Sequence, residues 1–508
     1  ALAPRAATGL PASAARVAAP ASLELALVRD SRAELDANEL RLRVSNLGSF
    51  ACPGEEWLGG LEWPRGSGRH AVFAAGLWLG GLVAGDTLVT VAEYTCEYAA
   101  GPLDPSGVPL DPEESDPVHR VYSIRRCDDA ESNPDWAEWP ALFGAPVDAS
   151  GEPRTLGEQT LWCVYNDAVA SRHTNWMAGT APLGVEVRQT VFGFQRGGNL
   201  DRVAFLWFDV LNRGPNTVDS AYVGLWLDPD LGGAQDDLVG CDPQLDLGFA
   251  YNGADSDPVY GLHPPAVGCA LLQGPVVGAD TLRLTSFGRL LKNWNEPTDA
   301  GMAYRRMARG LPDAELPAPF PCDAAGTRFE VSGDPVTATG CRDTLPADRR
   351  MLLGCGPFAL APGDSHRVVA VLAIGGRPDE GDRLSNLTLL RETVEEARAA
   401  HAAGFATVPP APACDAPLRL LVARPNPAGA AQRIEFVVPA GVTCLTARIH
   451  DVAGRLVWER TLTGLRPGLQ ALEWDGRADD GSELPAGVYF VGLRGGGGES
   501  TGRVVRLR

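Results

Sequence analysis

Most of the chain is a succession of short runs in which apolar and polar residues alternate, separated by turns rich in glycine, proline and aspartate. Residues 39–46 (ELRLRVSN) alternate without interruption. Alternation with a period of two places one set of side chains on the buried face of a strand and the other set in solvent. Runs of this kind also lie at 23–29, 70–79, 86–93, 118–125, 159–165, 184–194, 202–212, 220–227 and 366–374.

Strands this frequent, with no helical pattern between them, predict antiparallel sheets rather than a parallel sheet of alternating strands and helices. The expected fold class is therefore all-β, with a large antiparallel β-sandwich region over residues 23–381. A region of this length could hold two sandwiches.

One segment has helical periodicity instead. Over residues 382–404, apolar side chains recur every three or four positions, and Gly404 is a suitable residue to end a helix. Residues 405–417 (FATVPPAPACDAP) are rich in proline and predict a semi-rigid linker. The apolar positions of the predicted helix are Leu384, Leu387, Leu390, Val394 and Ala397.

The first 22 residues have a different composition, rich in alanine and proline and without a hydrophobic period. Such a segment cannot bury a core of its own, so we interpret residues 1–22 as an extended N-terminal arm. We expect the arm to dock on a neighbouring copy of the chain, since ordering it needs contacts that offset its conformational entropy.

Residues 418–508 form a separate unit with a fixed order of motifs. Pro-Asn-Pro at 425–427 is followed by Ile-x-Asp-x-x-Gly-Arg at 449–455, Trp-Asp-Gly at 474–476, and Pro-Ala-Gly-Val-Tyr at 485–489. This order resembles the Ig-like domain of flagellar hook-capping proteins and the C-terminal sorting domain of type IX secretion cargo. The resemblance implies a small Ig-like β-sandwich and an export route, and it implies no chemistry.

A second resemblance covers residues 39–280. Asn-Leu-Gly-Ser-Phe at 46–50, Ala-Gly-Leu-Trp-Leu-Gly-Gly at 75–81 and Leu-Asp-Pro-Asp-Leu-Gly at 227–232 are similar to motifs of large secreted bacterial proteins that carry the same C-terminal domain. No activity is attached to those proteins, so this resemblance supports only an exported, β-rich protein of several domains.

Charge narrows the possible partners. The 508 residues have a formal net charge of -20, which repels nucleic acid and anionic membrane surfaces. No apolar run approaches the roughly 18 residues needed to span a bilayer, so we expect no membrane insertion. Because the chain begins at Ala1 without a charged, apolar leader, we expect an extracellular or cell-surface protein whose signal peptide has been cleaved.

The 11 cysteines form no C-x-x-C pair, which argues against zinc ribbons, thioredoxin-like sites and c-type haem attachment. In an exported chain, cysteines spread in this way favour disulfides. We expect most of them to be oxidised, in at least four bridges. Cys241–Cys269 and Cys322–Cys341 are plausible local loops.

The strongest candidate site is an acidic, glycine-containing stretch over residues 228–242. Calcium binds six to eight oxygen ligands, and carboxylates on a tightly curled loop supply them. The alternative is an acidic, solvated turn whose aspartates cap local backbone amides. The candidate calcium ligands are Asp228, Asp230, Asp236, Asp237 and Asp242.

Signatures of catalysis are missing: the sequence has no nucleophile elbow, zinc-protease or phosphate-loop motif. Trp136, Glu138 and Trp139 offer an acid flanked by aromatic rings, although tryptophans are more often packing residues. We therefore expect a non-enzymatic, exported structural subunit of an extracellular filament or layer, whose partners are other copies of itself. The alternative is a secreted protein that binds or cleaves carbohydrate.

Overall fold

The computed structural model describes twelve stretches of the chain. The predicted arm at 1–22, the predicted strand at 23–29 and residues 412–416 of the predicted linker lie outside these residues. The described residues are 31–54, 58–110, 118–175, 179–291, 295–309, 327–378, 380–411, 417–429, 431–439, 442–465, 468–496 and 498–507.

Strands dominate, and the all-β fold predicted from the alternation is confirmed. The strands of the large domain are β1 (Arg32–Leu35), β2 (Arg41–Ser45), β3 (Ser49–Ala51), β4 (Leu61–Glu62), β5 (His70–Val72), β6 (Ala74–Val83), β7 (Asp86–Thr90), β8 (Ala99–Ala100), β9 (Tyr122–Arg125), β10 (Gln159–Asn166), β11 (Val185–Gly193), β12 (Val203–Asn212), β13 (Val218–Asp228), β14 (Asp237–Asp242), β15 (Leu247–Asn252), β16 (Ala266–Gln273), β17 (Val276–Val277), β18 (Asp280–Thr281), β19 (Ser286–Leu291), β20 (Arg349–Leu360) and β21 (Ser365–Gly375).

The C-terminal domain and the helices complete the chain. Its strands are β22 (Arg419–Arg424), β23 (Gln432–Val438), β24 (Cys444–Asp451), β25 (Leu456–Thr463), β26 (Gly468–Trp474), β27 (Gly487–Gly495) and β28 (Gly498–Arg506). The α-helices among the described residues are α1 (Pro134–Ala137), α2 (Ala300–Arg309) and α3 (Arg383–Ala402).

Two antiparallel sheets face each other in the large domain. The nine-stranded sheet has the order β14-β15-β16-β21-β12-β11-β10-β8, with β9 also paired to β10. The six-stranded sheet has the order β19-β20-β13-β6-β3, with β7 paired to β6. One core lies between them, because Leu206 and Leu372 from the first sheet share a buried cluster with Leu77, Leu225 and Leu353 from the second.

Helix α3 confirms the predicted helical segment, but it is more than a connection. Asp382 caps its N-terminus by accepting from the amides of Leu384 and Ser385, and Ser385 bonds back to the Asp382 amide. Its apolar stripe packs on the outer face of the nine-stranded sheet, where Leu390 and Val394 share a cluster with Phe205 and other sheet residues. The central strands are therefore buried on both faces.

Helix α2 corrects the expectation that no helix lies between the strands. It covers the outer face of the six-stranded sheet, where Met307 packs with Trp78 and Trp226. Its packed side chains, Ala300, Ala303, Tyr304 and Met307, recur at helical spacing, so the sequence does contain a helical signal, over only ten residues. Gly354 of β20 allows the close approach, because a Cβ there would lie 2.0 Å from the Met307 carbonyl oxygen.

The expected disulfide framework is not what the structure shows. Neither Cys241 nor Cys269 is in a disulfide. Each pairs with Gly248, one from either side, so they are two strand spacings apart, roughly 9.5 Å, beyond the reach of a disulfide. Cys127 and Cys341 are disulfide-bonded, and Cys322 of the expected Cys322–Cys341 loop lies outside the described residues. The described cysteines that are in no disulfide are Cys52, Cys96, Cys163, Cys241, Cys269, Cys355 and Cys444.

The C-terminal domain is a small two-layer β-sandwich. One layer has the strand order β22-β23-β26 and the other β25-β24-β27-β28. Trp474, Phe436 and Ile449 are among the residues of its separate core. No helix among the described residues is long and apolar enough to cross a membrane.

Packing of α3 on β21 gives a direct test. A Cβ at Gly375 would lie 2.1 Å from the Asn386 carbonyl oxygen and 2.4 Å from the Leu390 amide nitrogen. Because this is backbone, Gly375→Ala should lower the free energy of unfolding by about 1–3 kcal/mol. Gly288→Ala is the matched control in β19, where the nearest atom would be 3.9 Å away, so urea unfolding should show little change. Equal effects would contradict the packing described.

Candidate functional site

The pairing of β13 with β20 brings distant carboxylates together. Leu227 pairs with Met351, so the end of β13 meets the start of β20. Asp228 is the last residue of β13, Asp230 follows in a left-handed conformation with φ of 40°, and Asp348 comes just before β20. One carboxylate oxygen from each of these aspartates lies within 4.8 Å of the other two. We call Asp228, Asp230 and Asp348 the aspartate cluster.

Tyr94 and Arg350 hold one side of the cluster. The Tyr94 hydroxyl donates to Asp228 Oδ2 at 2.5 Å. Arg350 donates to the Tyr94 oxygen at 2.9 and 3.0 Å, lies 3.4 Å from Asp228 Oδ2, and also pairs with Asp348. In contrast, Asp228 Oδ1 is buried and accepts no hydrogen bond from any residue that the structure describes. Asp228 therefore has one oxygen available for a further ligand.

Among the described residues around this oxygen, acidic side chains outnumber basic ones. Glu93 and Glu296 join the three aspartates, and Glu296 contacts Arg350 at 3.3 Å. Burial, reinforced by the charge of Asp230, raises the pKa of Asp228 to about 8, although Arg350 opposes the shift. Burial, together with the charge of Glu296, raises the pKa of Glu93 to about 8 as well. At neutral pH these groups therefore retain protons unless a cation replaces them.

The cluster fits a hard divalent cation in both spacing and donor type. Calcium binds oxygens at about 2.4 Å, so two oxygens on opposite sides of one ion are at most about 4.8 Å apart. The aspartate cluster meets this limit with carboxylate oxygens, the donors that calcium prefers. Asp228 Oδ1, Asp230 and Asp348 are the groups that would hold the ion.

The acidic stretch predicted from the sequence is divided by the fold. Asp228 and Asp230 lie in the cluster, but Asp237 and Asp242 are at opposite ends of β14, roughly 16 Å apart, and cannot share an ion. Asp237 is buried and accepts from the Leu231 amide at 2.9 Å. Asp242 lies 3.6 Å from Arg391.

Asp236 is also outside the cluster. Burial raises its pKa, and the nearby charge of Asp257 adds to this rise. Sequence reasoning missed Asp348, Tyr94 and Arg350. Asp348 lies 120 residues after Asp228, and no local spacing links the two. The missing signal is the pairing of β13 with β20, which the alternation pattern cannot provide because it does not specify strand partners.

The acid flanked by aromatic rings is engaged in packing and ion pairs. Glu138 lies 2.8 Å from Arg120, which also binds Asp135 at 2.8 Å. Trp139 is buried and packs edge to face on Tyr122 at 6.0 Å. These contacts favour the structural interpretation of this segment.

Residues 426–497 match the FlgD Ig-like domain family. The C-terminal domain resembles that Ig-like domain, as its motif order predicts. None of the curated proteins compared matches the sequence significantly.

Three solved structures illustrate the wider likeness. FlgD from Xanthomonas campestris is 19% identical over 18% of this chain and 64% of its own, with a TM-score of 0.14. PorZ, a surface component of the type IX secretion system of Porphyromonas gingivalis, is 11% identical over 92% and 54%, with a TM-score of 0.14. A polysaccharide lyase is 10% identical over 63% and 34%, with a TM-score of 0.19. Each match spans less than two thirds of the solved protein, and no functional conclusion is drawn from these scores.

If the cluster binds calcium, the melting temperature should rise with calcium and fall with chelator. Calcium at 100 times its dissociation constant stabilises the native state by about 2.7 kcal/mol. Asp228→Asn and Asp348→Asn should lose this response, whereas Asp242→Asn should keep it. Thermal unfolding in matched calcium and chelator buffers measures the effect. A calcium response equal in all three variants would place the ion elsewhere.

The raised pKa of Asp228 gives a second test, in chelator. The folded state holds a proton on Asp228 up to about pH 8, whereas an unfolded aspartate loses it near pH 3.9. Between these values the folded state binds more protons, so stability falls as pH rises. Relative to Asp228→Asn, the wild type should lose up to about 1.4 kcal/mol per pH unit, measured by urea unfolding from pH 5 to 8. A difference independent of pH would contradict this assignment.

Proposed function

We propose that the chain is an exported, non-enzymatic structural subunit of an extracellular surface assembly. The observation that carries the proposal is the match of residues 426–497 to the FlgD Ig-like domain family. A binding module of this fold joined to a large β-sandwich suits a protein that acts through surfaces.

Contacts between the two domains support a fixed module. Gln195 Nε2 lies 3.4 Å from Glu435 Oε1 of the C-terminal domain. Arg65 and Arg126 line the same crevice as Arg433 and the first residues of β26. An Ig-like domain held by its own large domain can transmit the position of one subunit to the next.

Calcium, in this proposal, has a structural role. An ion on the aspartate cluster joins the end of β13 to the segment before β20. It also offsets the repulsion between the carboxylates, which is otherwise relieved by protonation. The burial of Tyr94 raises the pKa of its hydroxyl, so the hydroxyl stays protonated and no phenolate is available as a base. This environment favours a stabilising ion over a reacting group.

Deleting residues 1–22 tests the assembly. The full chain should form filaments or layers in calcium-containing buffer, seen by negative-stain microscopy. The deletion should remove them without changing the melting temperature, because the arm contributes contacts between copies.

A variant with the 22 arm residues in scrambled order is the control for composition, and it should also fail to assemble. Assembly by the deletion variant would contradict the role of the arm. A chain that stays monomeric and binds defined glycans on an array would instead support the carbohydrate alternative.

A further inference from the structure

Charge is divided unequally along the chain. Residues 417–508 contain 12 arginines and nine acidic residues, a formal charge of +3, whereas residues 1–416 carry -23. A basic domain and a strongly acidic one attract each other over distances comparable to the Debye length. Within one copy the two domains are already in contact, so only a basic surface outside that contact can bind another molecule.

The Ig-like domain meets its own large domain through one of its two sheets. Glu435 of β23 and residues 468–471 of β26 line the crevice with Arg65 and Gln195. Both strands belong to the sheet β22-β23-β26. The sheet β25-β24-β27-β28 lies on the other side of this small sandwich, so its outer face points away from that contact.

The outer face carries two exposed large apolar side chains among polar ones, Phe490 and Leu456. His450 pairs with both Leu456 and Phe490, and Phe490 pairs with Arg503, so these four form a row across the sheet. Phe490 is 46% exposed and Leu456 45% exposed. Gly492, two residues after Phe490 on the same face, leaves one side of the ring open.

Arginines lie at the end of this row and beside it. Arg503 ends it, Arg448 lies in the next row, and Arg494 lies one row further, opposite Glu499. Arg448 pairs with Glu459. Arg494 and Arg503 are exposed and form no ion pair with any residue that the structure describes. We define the outer Ig face by Arg448, His450, Leu456, Phe490, Arg494 and Arg503.

We propose that the outer Ig face docks on the acidic large domain of a second copy of this chain. The inference rests on the proposed function and names its partner surface. Two exposed apolar side chains accompanied by Arg494 and Arg503 suit an acidic protein surface, and the large domain, at -23, supplies one. A contact between two different surfaces does not close on itself unless the rotation allows, so it propagates head to tail.

Sedimentation velocity of the full chain tests this contact. The wild type should associate, and raising the salt concentration should weaken association because the charges are screened. Arg494→Glu with Arg503→Glu should weaken it about tenfold or more. Arg419→Glu with Arg477→Glu is the matched control, since it changes the charge equally off the outer Ig face, and it should associate like the wild type.

The exposed apolar side chains have their own matched pair. Phe490→Ser should weaken association, whereas Leu421→Ser, an exposed position on the other sheet, should not. Circular dichroism and melting temperature establish that each variant is folded.

The outcomes separate the two proposals. If Arg494→Glu with Arg503→Glu associates like the wild type, the docking face is wrong while the assembly stands. If the wild type remains monomeric at every concentration and salt, both proposals fail. Polygalacturonate is the probe for an acidic glycan: if it binds the monomeric wild type and not the arginine variant, the face serves a glycan and the second-copy partner is overturned.

Discussion

The antiparallel pairing of β13 with β20 is the contact on which the rest of the large domain depends. It joins strands whose paired residues are more than 120 positions apart, in the middle of the six-stranded sheet. Its inward side chains, including Leu225 and Leu353, lie in the central core. The same pairing brings Asp348 to Asp228, so the core and the candidate site have one origin.

The first two residues of β20 show how much charge this pairing buries. Arg349 and Arg350 are consecutive and therefore point to opposite faces of the sheet. Arg349 binds Asp343 at 2.8 Å, while Arg350 reaches Tyr94 and Asp228. Buried ion pairs stabilise little against an apolar core, but removing one partner leaves an uncompensated charge. They therefore select this register of β20 against its alternatives.

The sequence predicted much of this fold because period-two alternation reports burial of one strand face directly. The sequence also predicted α3, because the five apolar positions of this helix keep a helical spacing. It missed α2, although Ala303, Tyr304 and Met307 keep a helical spacing, because the segment is short and rich in alanine and arginine. Proximity in sequence was also a poor guide. Asp242 lies at the opposite end of β14 from Asp237, and Cys269 is separated from Cys241 by the whole of strand β15.

Strand β21 has a consequence for how the molecule is made. It lies between β16 and β12, so the nine-stranded sheet remains two separate halves until residues 365–375 are available. Until then both halves keep open edges, which invite pairing with other chains. Folding of this sheet must wait for residues 365–375 and then close long loops, which is slow. A nascent chain therefore exposes the unpaired edges of β12 and β16 until this strand has been made.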